Sequence, residues 1–364
     1  MSNKEKTDAE QWAKTFLAVV LAFLMLVSLF VFVVDPYFHY RKPLPHINYE
    51  LKYSNYINNG MLRHFDYDAV IIGTSMCQNF KPSEMNDLFL VNSIKTCFQG
   101  GSYATIDYNL KKAFEYNDNI RVVVRGLDYN KIDNKDISDF SDDMPWYLYD
   151  ENPFNDVEYL LNFETIMNMR GTLTNTFKSQ FKGGMTSLDD YDNWSDASVY
   201  GIEAVREYQL KVNAEEKTIV SMNLSKDDKE RIRDNIYNNV VSTAQEHPET
   251  TFYYFFTPYS IFYWDDLNSK GLLDRQIEIE RIAIEEILKS DNIELYSFNY
   301  NEEIITNLDN YKDSGHYGGW INSLILKTLQ DGSYDFRITK DNYEQYLKDE
   351  KVFFENYDYR WLWR

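Results

Sequence analysis

Ser75 follows an apolar, β-branched segment that stops at a glycine, within residues 69–76 (AVIIGTSM). This pattern predicts a strand buried on both faces, as in the centre of a parallel sheet. Catalytic groups of such sheets lie beyond the carboxyl ends of the strands, so Ser75 stands where a nucleophile would be placed. Strand-Gly-x-Ser turns are also common in α/β proteins without catalysis, and this stretch alone does not decide between the two interpretations.

A second candidate lies far down the chain, where Asp313 and His316 stand three positions apart before an amphipathic segment at 320–326. In a tight turn this spacing lets the carboxylate orient the imidazole. The imidazole can then take the proton from a serine hydroxyl, which is a weak nucleophile unaided. The alternative is an aspartate that caps a helix, with a histidine in its first turn.

Together the two motifs, Gly73-Thr74-Ser75 and Asp313-Ser314-Gly315-His316, resemble those of the SGNH (GDSL-like) hydrolase superfamily. The chain looks most like its membrane-anchored members in bacterial envelope modification. These are the alginate acetylation proteins of the AlgJ and AlgX kind and, more distantly, the D-alanylation protein DltD. The resemblance spans residues 66–330, with the specific matches at its two ends. It implies a triad of Ser75, Asp313 and His316.

The resemblance also implies an oxyanion hole, which needs hydrogen-bond donors aimed at the developing negative charge. The N–H groups of Ser75 and of Gly101, or Gly100, are the expected donors, and a plain tight turn at the two glycines is the alternative. The family commonly has Gly-x-Asn after the third strand, but this chain has Asp128 at the asparagine position. A carboxylate would oppose an oxyanion. Asp128 is therefore expected either to be held aside, by a cation such as Arg125 or by backbone donors, or to be protonated.

Two further residues are candidates for the pocket. Thr74 precedes the nucleophile, and Tyr259 follows the predicted strand at 251–256. Core packing is an equally good interpretation of Tyr259. Cys77 lies two residues from Ser75 and is a competing nucleophile, although the Asp-x-x-His motif favours serine. Cys77 and Cys97 are expected to be buried free thiols, with a disulfide as the alternative, and the histidines show no metal-ligand spacing. No metal and no cofactor are predicted.

Residues 16–34 form an uncharged apolar run long enough to span a bilayer as a helix. No small-residue cleavage site follows, so an uncleaved anchor is predicted. Lysines and arginines are nearly balanced on the two sides of the run, and the resemblance alone favours a cytoplasmic N-terminus with an extracellular catalytic domain. The net charge of −21 argues against a nucleic-acid partner.

The predicted fold class is α/β: a three-layer sandwich with a five-stranded parallel sheet of the SGNH or flavodoxin-like type, preceded by one N-terminal transmembrane helix. A lid or subdomain is expected at 129–225, where strands and helices stop alternating. The aromatic tail is expected to strap across the domain, with the membrane interface as the alternative. The predicted organisation is a cytoplasmic tail (1–15), the anchor (16–34), a connector (35–65), the catalytic domain (66–330) and the tail (331–364).

These features predict a membrane-anchored extracellular serine esterase or O-acyltransferase. The resemblance implies an envelope polysaccharide or teichoic acid as substrate, acetyl as the acyl group, and a membrane-bound acyl-donor protein as partner. A non-catalytic scaffold of an envelope acylation assembly, which keeps the fold, is the alternative. An intact Ser75, Asp313 and His316 argue against the scaffold, while Asp128 argues mildly for it.

Overall fold

The computed structural model describes residues 3–138, 140, 144–185, 187–215 and 221–364. Its chain falls into two compact units. Unit 1 comprises residues 1–65 and 143–186, and unit 2 comprises residues 66–142 and 187–364. The segment at 129–225 therefore contributes to both units.

Unit 1 is helical. Its longest helix, α1, contains a 27-residue stretch, Asp8–Val34, in which an 18-residue window has a mean hydropathy of 3.2. Among the described residues this is the one helix long and apolar enough to cross a membrane. The helices of unit 1 are α1 (Asn3–Val34), α2 (Ser54–His64), α6 (Val157–Leu160) and α7 (Phe163–Lys178), with a 3-10 turn at Trp146–Leu148.

Unit 2 is an α/β domain built on one six-stranded sheet in the order β2-β1-β3-β4-β5-β6. The first five strands are parallel, and short β6 pairs antiparallel with β5. The strands are β1 (Ala69–Gly73), β2 (Ser93–Cys97), β3 (Val122–Leu127), β4 (Thr251–Phe256), β5 (Ile293–Ser297) and β6 (Arg337–Ile338).

The helices of unit 2 connect these strands, as parallel pairing requires, or follow the last strand. They are α3 (Pro82–Phe89), α4 (Tyr103–Tyr116), α5 (Tyr129–Ile132), α8 (Ile202–Glu215), α9 (Lys226–Ile236), α10 (Ser242–Glu246), α11 (Ile261–Ser269), α12 (Leu273–Ile287), α13 (Glu302–Ile305), α14 (Gly319–Asp331) and α15 (Tyr343–Asn356). Strand order reverses at β1, and ligands of open α/β sheets bind at such switch points, beyond the carboxyl ends of the strands.

The predicted α/β class, the mostly parallel sheet and the N-terminal apolar helix are confirmed. The predicted count of five strands is wrong, because β6 adds a sixth at the edge beside β5. With two residues and one neighbouring strand, β6 has no period that a sequence pattern can reveal. The C-terminal tail packs on unit 2: Phe354 stacks on buried Trp264, and Trp363 Nε1 donates to Asp265 at 2.7 Å.

A buried carboxyl pair links α12 to the C-terminal helix α15. Glu280 and Glu350 are both fully buried, and the Tyr346 hydroxyl lies 3.0 Å from Oε1 of each. Burial raises the pKa of Glu280 to about 7. Burial and the neighbouring Glu280 raise the pKa of Glu350 well above its ordinary value. As the pH rises from about 4.5 to about 7, the unfolded chain releases a proton that the folded chain keeps. This pair therefore makes the protein less stable as the pH rises through that window.

Glu350→Gln is expected to flatten this pH dependence, since glutamine keeps a hydrogen-bonding oxygen but cannot ionise. The fall in Tm between pH 5 and pH 8 is expected to shrink by a few degrees, since about 1 kcal/mol corresponds to about 2–4 °C in Tm for a domain near this size. The check is Tm measured from pH 5 to pH 8, with the exposed Glu355→Gln on the same helix as control. If Tm depended on pH in Glu350→Gln as it does in the wild type, the Glu280–Glu350 pair would not be the source of the pH dependence.

Candidate active site

The Ser75 side chain is positioned by a tight turn at the carboxyl end of β1, the strand at the switch point. All five residues of β1 are buried, and the turn continues as a 3-10 helix at Ser75–Cys77. Gly73 is needed here because a Cβ at this position would lie 2.5 Å from the Cys77 sulfur. Asn322 on α14 fixes the turn from the other side, since its Nδ2 donates to Met76 O at 2.9 Å.

His316 lies in a closed loop before α14. Tyr311 and Tyr317 form an isolated antiparallel bridge, and Lys312 N donates to His316 O at 3.0 Å. Inside this loop Asp313 Oδ1 accepts from the backbone N–H groups of Gly315 and His316, at 2.9 and 2.7 Å. Asp313 is not a helix cap, because α14 begins six residues later at Gly319. Its carboxylate holds the loop in shape and is left facing the imidazole.

The two motifs meet although they are 241 positions apart. Ser75 Oγ lies 2.7 Å from His316 Nε2. The other ring nitrogen, Nδ1, lies 2.8 Å from Asp313 Oδ2 and 3.1 Å from Oδ1. Burial alone would raise the pKa of Asp313, but its hydrogen bonds and the charge of His316 outweigh burial, and the net pKa is lowered. An ionised Asp313 favours the His316 tautomer with Nδ1–H, which leaves Nε2 free to accept the serine proton.

Cys77 cannot compete with Ser75 as the nucleophile. Ser75 lines a cavity of about 240 Å³, whereas the Cys77 side chain has no exposed surface. Both cysteines are free and buried. Burial and the neighbouring Cys97 raise the pKa of the Cys77 thiol well above its ordinary value. Since the thiolate is the reactive form of cysteine, Cys77 is inert here.

Of the two glycines predicted as oxyanion donors, the structure favours Gly100. Gly101 N donates to Phe98 O at 2.9 Å, which closes a tight turn. The Gly101 N–H is therefore not free to donate to an oxyanion. Gly100 has a φ of +67°, suited to glycine, and lines the cavity with Ser75. In the described part of the chain, the N–H groups of Ser75 and Gly100 donate no hydrogen bond. They are the candidate donors of the hole.

Asp128 lies at the end of β3 and lines the same cavity, but hydroxyl groups hold its side chain. Oδ2 accepts from Thr74 Oγ1 at 2.5 Å, while Oδ1 accepts from Thr257 Oγ1 at 2.9 Å and from the Tyr259 hydroxyl at 3.2 Å. Thr74 in turn accepts from Met76 N at 3.3 Å. Asp128 therefore braces the turn that carries Ser75, and the predicted pocket residues Thr74 and Tyr259 serve in that brace.

The expected cation at Asp128 is absent from this network. The guanidinium of Arg125 is fully buried elsewhere, where Nη2 donates to Asn239 O at 2.7 Å. The rings of Tyr103 and Tyr254 lie 5.5 and 5.7 Å from its central carbon. Side chains alternate across a strand, so Arg125, three positions before Asp128, points to the opposite face of the sheet. The alternation of side chains along a strand therefore argues against the predicted pairing of Arg125 with Asp128.

Asp128→Asn is expected to keep or raise activity. Asparagine has the same shape, and Thr74 can turn its hydroxyl to accept from the new amide. The substitution also removes a negative charge from the oxyanion region. Asp128→Leu, by contrast, removes the carboxylate acceptor of three buried hydroxyls, at about 1–3 kcal/mol each, and is expected to lower Tm. Both are checked by esterase kinetics and thermal unfolding. If Asp128→Asn lost as much activity as Ser75→Ala while keeping its circular dichroism spectrum, Asp128 would have a direct catalytic role.

Trp194 is a site residue that the sequence did not suggest. Its Nε1 donates to Ser75 O at 3.1 Å, and its ring packs edgewise with that of His316 at 5.4 Å between centroids. Lys312 Nζ lies 3.7 Å from the centre of the Trp194 ring. Trp194 thus contacts both motif loops. It comes from an Asp- and Asn-rich stretch with no periodic pattern, which left no local signal of this placement.

The remaining walls of the cavity are polar and aromatic. Lys131 on α5 lies beside the glycine turn, with its Nζ donating to Gly100 O at 2.8 Å. Other lining residues missed by sequence reasoning are Asn130, Tyr208, Tyr263 and Gly315. Among the described residues, no group of three or more His, Cys, Asp and Glu side chains is arranged to hold a metal ion.

No protein-family model and no curated protein matches this chain.

Proposed function

We propose that this protein is a membrane-anchored serine esterase or O-acyltransferase of the SGNH type. The observation that carries the proposal is the hydrogen-bonded chain Ser75–His316–Asp313 at the carboxyl edge of a parallel sheet. The motif order, with the serine after the first strand and Asp-x-x-His near the end, supports the SGNH class. Under this proposal unit 2 is the three-layer SGNH sandwich with an additional edge strand.

In the proposed mechanism, Ser75 Oγ attacks an ester carbonyl while His316 Nε2 takes the hydroxyl proton. Asp313 holds the ring and stabilises the imidazolium. The tetrahedral oxyanion receives hydrogen bonds from the N–H groups of Ser75 and Gly100. His316 then protonates the leaving alcohol, an acyl-serine remains, and water or an acceptor hydroxyl resolves it by the same steps in reverse.

The proposed acyl group is acetyl, which follows from the SGNH resemblance, and the cavity of about 240 Å³ has room for it. We propose an envelope polysaccharide or teichoic acid as the second substrate, α1 as the anchor, an extracellular unit 2, and a membrane-bound acyl-donor protein as partner. These four follow from the SGNH resemblance and from the apolar length of α1.

The direct test is to incubate the purified protein with an acetyl ester, with and without an envelope glycan. Released acetate and acetylated glycan are both measured by mass spectrometry. We expect acetate release that depends on Ser75, and transfer when the acceptor is correct. Absence of both over a panel of acyl esters would favour the alternative, a scaffold that keeps the fold, which the unusual Asp128 supports.

A further inference from the structure

Helix α7 in unit 1 buries a row of polar side chains and exposes its largest apolar ones. Its buried positions are Thr165, Asn168, Thr172 and Thr176. On the opposite side, Phe163 is 71% exposed and Phe177 is 64% exposed, with Met167 between them at 37%. The exposed Arg170 and Thr174 lie on this same side, between Met167 and Phe177. Steps of three and four residues keep each set on one face of a helix. In a water-soluble helix the apolar face is normally the buried one, so α7 is reversed.

Hydrogen bonds explain why the polar face is turned inward. The backbone N–H of Asn48 donates to Thr176 Oγ1 at 3.0 Å, and that of Glu50 donates to Thr172 Oγ1 at 2.9 Å. Asn168 Nδ2 donates to Glu50 O at 2.9 Å. The connector after α1 is thus bound along α7 by polar groups, and the apolar face is left without a packing role inside unit 1.

The exposed apolar surface continues beyond both ends of α7. After the helix, Phe181 is 49% exposed, and its ring packs edge-on to Phe177 at 5.3 Å. Before the helix, Phe154 is 91% exposed and Val157 is 54% exposed. We call the surface formed by these residues together with Phe163, Met167 and Phe177 the α7 surface. Several large apolar side chains exposed in one part of the surface mark an interaction site.

The α7 surface is fixed to the carboxyl end of α1. Helices α6 and α7 both pack against α1. Asp35, the residue that follows α1, is buried and accepts from the Tyr159 hydroxyl of α6 at 2.8 Å. Asp156 accepts from the Tyr40 hydroxyl at 3.0 Å and lies 3.2 Å from His39 Nε2. The exposed Phe154 and Val157 flank Asp156, so they lie where the apolar helix ends.

We infer that the α7 surface binds the lipid bilayer, as an in-plane helix beside the membrane-spanning α1. This inference rests on the proposed anchoring by α1. The occupant is lipid because α6 and α7 are fixed beside the carboxyl end of α1, and a span that crosses the bilayer brings this end to the lipid headgroups. In-plane helices bury an apolar face about 5–10 Å into the boundary between headgroups and acyl chains. Arg170 and Lys178, both exposed, supply positive charge for lipid phosphates.

The test uses the full chain reconstituted in vesicles of phosphatidylcholine and phosphatidylglycerol. Single cysteines carrying bimane replace Phe163 or Phe177 on the α7 surface, in a background of Cys77→Ala and Cys97→Ala. Asn175→Cys, exposed on the flank of the same helix, is the matched control. Leu21→Cys in α1 reports on the anchor. Each label is exposed in turn to brominated lipid and to aqueous iodide.

We expect brominated lipid to quench the labels at 163, 177 and 21, and iodide to quench the label at 175. If the labels at 163 and 177 respond to iodide as strongly as the label at 175, the α7 surface faces water and the inference is wrong. If neither quencher reaches them, a protein covers the surface, which also overturns the inference. In both cases quenching at 21 would leave the anchor intact. A label at 21 that lipid does not quench would overturn the anchor and the inference together.

Discussion

Ser75→Ala is expected to abolish esterase activity, with kcat lowered by about 10⁴-fold or more and KM nearly unchanged. The hydroxyl is the attacking group, and the hole that remains provides only residual catalysis. Tm should change little, because Ser75 Oγ contacts only His316 among the described partners. The measurement is hydrolysis of an acetyl ester under saturating conditions, with thermal unfolding in parallel.

Ser314→Ala is the matched control, since Ser314 also lines the cavity but belongs to the loop beside His316. It should keep activity within a few-fold. Combining Ser75→Ala with His316→Ala should add little further loss, because the two residues act as one unit. Full activity in Ser75→Ala would remove the serine from the mechanism.

Asp313→Asn is expected to lower kcat by about 10³–10⁴-fold while leaving the fold intact. Asparagine can still accept from the backbone N–H groups of Gly315 and His316, so the loop should keep its shape. What it loses is the negative charge that faces His316 Nδ1, together with the preference for the productive tautomer. Activity is measured across the pH range, since the lowered pKa of Asp313 keeps the wild-type carboxylate ionised well into acid.

The exposed Asp309→Asn, four positions earlier, controls for loss of charge near the loop. It should match the wild type. If Asp313→Asn retained most of its kcat, Asp313 would be a loop-shaping residue only, and the role of His316 as general base would need another explanation.

Local pattern predicted the elements of the sheet well where a strand or helix is long and strongly periodic. The strand at 251–256 has the predicted bounds. The apolar run after residue 15 is a helix, because nothing polar interrupts it. These features depend on neighbouring residues in the chain, which is why the sequence alone reveals them.

Features that depend on distant partners were missed. The side-chain partners of Asp128 come from two different loops, and Trp194 reaches Ser75 across 119 positions. Nothing in a single sequence records such pairings. The orientation of α7 was missed for a different reason. Phe163, Met167 and Phe177 have helical spacing, but that spacing does not tell which side of the helix faces inward.

The most direct test of the central claim is labelling of the full-length protein with a serine-directed fluorophosphonate, followed by mass spectrometry of the digested chain. The proposal predicts one adduct, on Ser75, that is strongly reduced in His316→Ala and lost in Ser75→Ala, while Ser314→Ala labels like the wild type. An unlabelled folded protein, or an adduct on Ser314 or another residue with Ser75 unmodified, would contradict the claim that Ser75, His316 and Asp313 form a catalytic triad.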